Sequence, residues 1–185
     1  AVAGLHHYLI REGLRTRVLA MGGLVEQQVI RAMDGLESGD IALIEQVITT
    51  DRMVNRHEVE LDEACNHVIA KRQPAAVDLR MIMTVVKTIT DLERIGDETE
   101  KLGHIAARLA SIDRPADQYR EIKHIGELVT EMVHGALDAF ARLDTEAAIK
   151  VARRDRIVDE EYEALQRQCI TFMMEDPRTI RRALD

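Results

Sequence analysis

The 185-residue sequence contains no Trp, two Phe and three Tyr, so aromatics amount to only 3%. Its apolar content of 46% comes from Leu, Ile, Val, Ala and Met instead, a set that starves a sheet of its preferred aromatic residues. With 3 prolines, 10 glycines and 2 cysteines, the chain is neither disordered nor collagen-like, nor is it a disulfide scaffold. Cys65 and Cys169 fall within helical pattern, have neither C-x-x-C nor zinc-finger spacing, and read as reduced core thiols. No apolar run is long enough to span a bilayer, and the start AVAGLHHYLIREG has no apolar core or cleavage site of a signal peptide. A net charge of −8 works against a nucleic-acid partner, whose every phosphate contact needs a local cation. A glycine-rich phosphate loop, a G-x-S-x-G elbow and an H-E-x-x-H pair are all missing, which removes the machinery of nucleotide hydrolysis, esterase chemistry and zinc proteolysis. The reading is a cytoplasmic, all-α protein that is not an enzyme. Ala in place of Met at residue 1 and the mid-helical look of the last residues read as trimming at both ends.

What is present is helical periodicity. Leu14, Val18, Met21, Val25, Val29, Ala32 and Leu36 recur at steps of three and four, the spacing of a buried stripe, and predict a first helix to about Glu37. Ser38 and Gly39 end it, and Asp40 caps a second helix whose seam is Val47, Val54, Leu61 and Val68, running to about Arg72. Pro74 opens a third, with Leu79, Ile82, Val86, Ile89, Leu92, Leu102, Ile105 and Leu109 expected inside. SIDRPAD, residues 111–117, is the clearest linker. A fourth helix carries Ile125, Val129, Met132, Ala136 and Phe140, a fifth opens near Asp144 with a seam of Val151, Val158, Leu165 and Phe172, and Pro177 begins a sixth.

Shifting the chain by 104 positions superposes Leu24, Val25, Val29, Ala32, Asp34, Asp40, Val47, Asp51, Arg52, Val54, Leu61 and Cys65 on identical residues. One register accommodates seams, cysteines and, with one residue of slippage, Pro74 and Pro177, which reads as internal duplication. The expected architecture is two tandem three-helix bundles, residues 1–112 and 113–185, the second without most of its third helix.

Two acidic rows accompany these seams. At about 3.6 residues per turn, Asp51, Asn55, Glu58 and Asp62 form one stripe beside Val54, in a line that is otherwise apolar. Glu93, Asp97, Glu100 and His104 form another on the third helix, beside Gly96. On the fifth helix Asp155 and Asp159 repeat Asp51 and Asn55. Clustered carboxylates repel unless cations offset them, and pairs at i and i+4 on facing helices supply the oxygen ligands that Fe, Mn or Mg favour. The same spacing also occurs on merely solvated helix faces, so a plain helical interaction protein stands beside the metal reading. A di-metal carboxylate oxidase of ferritin type is the other alternative, with Glu-x-x-His at Glu121 and His124 and at Glu131 and His134, but both instances fall on one helix, whereas that site needs two. His6, His7, His57 and His67 have no partner spacing.

The strings AMGGLVEQQV (20–29), DEACNHVIAKRQPAAVDLRMIM (62–83) and DLERIGDETEKLGHIA (91–106) closely resemble the PhoU family, and the likeness spans nearly the whole chain. The resemblance implies a duplicated three-helix fold and a cytoplasmic negative regulator of the phosphate regulon. Such a protein is peripheral to the membrane through protein partners only, linking the PstB ATPase of the Pst phosphate transporter to the PhoR sensor kinase, and is expected to be a homodimer. It also implies multinuclear iron or zinc binding at E(D)-x-x-x-D motifs, which match Glu93 with Asp97, Glu58 with Asp62 and Asp155 with Asp159 here; Asp51 with Asn55 matches in part. Asn offers a neutral carbonyl where the motif has a carboxylate, so the first site is expected to hold metal more weakly or with fewer ions.

Overall fold

A computed structural model of the chain describes residues 2–72, 74, 76–111 and 119–180. Among them five α-helices follow one another: α1 (Val2–Ser38), α2 (Ile41–Arg72), α3 (Ala76–Ala110), α4 (Arg120–Arg142) and α5 (Thr145–Glu175), then a 3-10 turn at Pro177–Thr179. Both tight turns are capped, at Asp40 as the sequence predicts and at Asp144, its counterpart 104 positions on. Asp40 Oδ1 accepts the Ala42 N–H at 2.8 Å and Asp144 Oδ1 accepts the Ala147 N–H at 2.9 Å, each satisfying a donor that the first helical turn leaves free. Most of the SIDRPAD linker, and with it the boundary at residue 112, lies outside the described residues, as does the chain beyond Ile180.

α1, α2 and α3 pack together, and α4 lies against both α5 and α1. Leu14, Val18, Met21 and Val25 of α1 meet Val54, Leu61 and Cys65 of α2 and Ile82, Val85, Ile89 and Leu92 of α3 in one core. Of the expected α2 seam, Val47, Val54 and Leu61 are inside at 0% exposure, and Val68 is half-buried against the core. The α3 stripe needs correction. Leu79 is exposed and Val86, Leu102 and Ile105 are half-buried, while Val85, Gly96, Thr99, Gly103 and Ala106 face inward. A Cβ at Gly103 would stand 3.2 Å from Val47 Cγ1, so α3 crosses its neighbours on small residues and the bulky ones flank the crossing.

Where α1 crosses α4, the duplication is visible as a reciprocal contact. A Cβ at Gly22 would fall 2.2 Å from Leu137 Cδ2, and one at Gly126 would fall 2.0 Å from Met33 Sδ. Gly126 and Leu137 are the residues 104 positions after Gly22 and Met33, so a glycine and a long apolar side chain at equivalent positions are used twice, in opposite senses. Glu37 with Lys123 (2.6 Å) and Glu26 with His134 (2.9 Å) bridge the same helices.

Candidate functional site

The acidic rows of α2 and α3 come together because these helices run antiparallel and cross at Gly96. A Cβ there would be 3.2 Å from both Asp51 Oδ1 and Val54 Cγ1 and 3.3 Å from Gln28 Oε1. The glycine therefore allows the α3 backbone to lie directly on the α2 carboxylate. Asp51 is buried, at 4% exposure. Its Oδ2 accepts from Asn55 Nδ2 at 3.0 Å and its Oδ1 from Gln28 Nε2 at 3.4 Å.

Burial, with the Asp97 charge adding to it, raises the Asp51 pKa against the opposing pull of the Gln28 and Asn55 amides. The Glu93 pKa is raised as well, by desolvation first and then by Asp97, Glu58 and Asp51, with only Arg94 opposing. Four carboxylates from two helices thus share one electrostatic neighbourhood, in which mutual repulsion and burial outweigh the pull of Arg94 on Glu93.

Of the eight residues predicted for metal, the structure gathers Asp51, Asn55, Glu58, Glu93 and Asp97. Asp62 points its Oδ2 at Asn66 Nδ2 (2.9 Å), and its charge bears on Cys65, whose thiol, mainly through burial, is pushed up to about 11. Such a thiol stays protonated and inert at neutral pH. Asp155 and Asp159 are exposed on α5, with no described acidic row facing them. Further along α3, His104 is exposed, with Nε2 3.8 Å from Glu100 Oε1. Among the described residues no three His, Cys, Asp or Glu side chains converge closely enough to hold one ion as they stand. The Glu-x-x-His pairs of α4 do not converge either: Glu131 is paired with Arg154 and His134 with Glu26.

The residue that sequence reasoning missed is Gln28. It is wholly buried, and Nε2 donates to Val47 O and Gly96 O, both at 3.2 Å, as well as to Asp51. Its signal was a lone amide on the inner stripe of α1, three residues after Val25. Oε1 of Gln28 and Oδ1 of Asn55 are buried without a hydrogen-bond partner.

A second concave feature lies between α3, α4 and α5, an apolar groove of about 440 Å³ lined by Val129, Met132, Val133, Ala136, Val151, Val158 and neighbours, with Asp155 among them. Subtracting 104 gives Val25, Gln28, Val29, Ala32, Val47, Val54 and Asp51, residues that are buried in the first bundle. The groove is thus the counterpart of the seat that α3 occupies on α1 and α2.

No helix among the described residues is long and apolar enough to cross a membrane. Fold and site define a class: an all-α bundle of related helix pairs that carries a carboxylate cluster at a glycine crossing. The PhoU domain model matches residues 18–106 and 122–185. The phosphate-specific transport system accessory protein PhoU homolog of Pseudomonas aeruginosa is 47% identical over 174 residues, covering 94% of this chain and 72% of its own. The phosphate-specific transport system accessory protein PhoU of Escherichia coli strain K12 is 44% identical over 173 residues, covering 91% and 70%. The crystal structure of PhoU from Pseudomonas aeruginosa superposes with a TM-score of 0.92 at 46% identity, covering 96% of this chain and 85% of that one. The crystal structure of the phosphate transport system regulatory protein PhoU from Streptococcus pneumoniae does so at 0.83 and 26% identity, covering 92% and 80%. The chain belongs to the PhoU family.

Proposed function

We propose that this protein is a cytoplasmic negative regulator of phosphate uptake and of the phosphate regulon. It works as a non-catalytic adaptor between the PstB ATPase of the Pst transporter and the PhoR sensor kinase, and pairs with a second copy of itself. The observation that carries this reading is the kinship, above 40% identity over more than nine-tenths of the chain, with proteins named as accessories of the phosphate-specific transport system. Signal passes by contact: a partner that binds one helix arrangement better than another shifts the population towards it, by no more than its differential affinity.

The acidic cluster is the regulatory ligand site in this reading. The donor chemistry, though not yet the geometry, suits a hard cation. It consists of carboxylate and amide oxygens, and two of the amide oxygens are buried and unpartnered, but as the helices stand no three acidic side chains converge among the described residues, so an ion would have to draw them together. Asp51, Glu93 and Asp97 would hold the ion, with Glu58 and Asn55 alongside. Mn, Mg or Fe suits oxygen donors best, and Zn, which prefers nitrogen and sulfur, is the weaker match. A bound cation supplies neutralising charge and a bridge between α2 and α3.

The test is capture of purified PstB and PhoR by the immobilised protein, before and after chelation. Capture of both in a metal-responsive manner is the expected result. Capture of neither removes the adaptor reading, and capture indifferent to metal removes the acidic cluster from the signalling mechanism.

A further inference from the structure

The outward edge of α3 carries a second apolar pattern, distinct from the buried one. Ile82, Val85, Ile89 and Leu92 point into the core. On the outward edge Leu79 and Met83 are 40% and 46% exposed, Val86 is half-buried and Thr90 is exposed. These four follow one another at steps of four, three and four, so they form one line along the helix. Thr90 continues it as a methyl group, because its hydroxyl donates to Val86 O at 3.0 Å. Single exposed apolar side chains are ordinary on any surface, but a line at coiled-coil spacing has the shape of a helix contact.

Charge selects what can lie on that line. Arg80, Lys87 and Arg94 recur every seven residues and form one cationic border beside it. Arg80 and Lys87 have no acidic partner among the described residues, and Arg94 is held loosely by Asp91, 3.8 Å away, with the two side chains 77% and 71% exposed. In a chain of net charge −8 this border is a local reversal of sign. Glu93 and Asp97 take the next two places on the line, so its apolar stretch covers residues 79–90, about three turns. A second copy does not suit it. Two copies packed antiparallel about Met83 would bring Arg80 and Lys87 face to face, and packed parallel would bring each cation to its own image; both arrangements oppose like charges.

We propose that this edge of α3 is a docking surface for an amphipathic helix of a partner protein. That helix is about three turns long, lays an apolar stripe on Leu79, Met83 and Val86, and sets Asp or Glu at seven-residue spacing against Arg80, Lys87 and Arg94. The stripe supplies the attraction, and the carboxylates fix the orientation and exclude wrong partners. Such a surface deepens the adaptor reading by naming one face and the chemistry it selects. Its test needs neither PstB, PhoR nor metal, so the two readings fail separately.

The probes are two synthetic three-heptad peptides with Leu at both core positions, one with Glu and the other with Lys at the flanking positions, titrated by fluorescence anisotropy against the whole chain. The Glu peptide should bind, less tightly as salt rises, and the Lys peptide should bind about 10-fold more weakly. Net charge alone favours the Lys peptide, so this order reports on the border and not on the whole protein. Arg80→Glu combined with Lys87→Glu should reverse the order, and Met83→Glu should weaken the Glu peptide about 10-fold or more. All three positions are exposed, so the helical signal and thermal midpoint should stay at wild-type values. Equal binding of the two peptides by wild type, or an order unchanged by the double reversal, overturns the proposal. Glu-peptide binding that survives Met83→Glu does so too, by placing the contact elsewhere. A dimer that Met83→Glu dissociates in sedimentation would make a second copy the occupant and overturn it as well.

Discussion

The pairs α1–α2 and α4–α5 share a register and a turn design, yet they bury their common seam to different depths. Val54, Leu61 and Cys65 are wholly enclosed, whereas Val158, Leu165 and Cys169 are only half-buried and α5 has no fully buried residue. The difference is α3, which seals the first seam and has no described counterpart over the second. Sealing also changes the chemistry. The aspartate of the first pair is desolvated, clamped by amides and pushed towards protonation, while that of the second is an exposed carboxylate. A duplicated sequence thus yields one electrostatically tense site and one relaxed surface, and the third helix, more than the acidic residues themselves, separates them.

The largest expected effect tests burial directly. Leu61→Ala empties a fully enclosed position and should cost about 2–5 kcal/mol, whereas Leu165→Ala, its counterpart, should cost about 1 kcal/mol. Urea denaturation of both variants checks this, and equal losses would mean that the second seam is covered as well as the first. Next comes the α1–α4 crossing. Gly22→Ala drives a methyl into Leu137 and should cost about 1–3 kcal/mol; Gly126→Ala meets the more flexible Met33 and should cost less. Faster hydrogen exchange along α4 in the first variant would locate the damage.

A smaller effect is expected at the turns. Gly39 (φ 72°) and Leu143 (φ 54°) are counterparts and both left-handed, but only glycine tolerates that conformation without strain. Leu143→Gly should therefore gain about 1 kcal/mol or less, and Gly39→Ala should lose a similar amount, both read from thermal midpoints. The smallest concerns pH. Asp51 and Glu93 have folded-state pKa values above their ordinary ones, so the folded state holds protons that the unfolded chain has released. Stability from these groups is complete below the ordinary carboxylate range and is lost as pH rises through the raised values. The metal-free protein should therefore gain stability on mild acidification from neutrality, and Asp51→Asn should flatten that slope in urea titrations at successive pH values. A slope unchanged by the substitution would place the tension elsewhere.

Much of this was legible in the sequence. Helix order, the capping role of Asp40, the start of α5 near Asp144, the core of the α2 seam and the juxtaposition of Asp51 with Glu93 and Asp97 all follow from period, spacing and register, which are local or repeated signals. The α3 inner face was misread because periodicity weighs bulk, and Gly96, Thr99 and Gly103 carry almost none; small residues at a crossing become visible only when the neighbouring helix is in place. Gln28 escaped for the opposite reason: one buried amide among apolar neighbours has no period, and its value lies in partners 19, 23 and 68 positions away. The exposure of Asp155 and Asp159 depends on what lies above α5, which no pattern within α5 records.

The reciprocal glycine notches between α1 and α4 have a mechanical consequence. Gly22 and Met33 are eleven residues apart on α1, roughly 16 Å at about 1.5 Å per residue. Two pegs in two sockets at that separation resist sliding and tilting together, so the long rods disengage at both points or at neither. Force applied to one rod is accordingly delivered to the other as a stiff lever stroke, a gearbox linkage rather than a hinge.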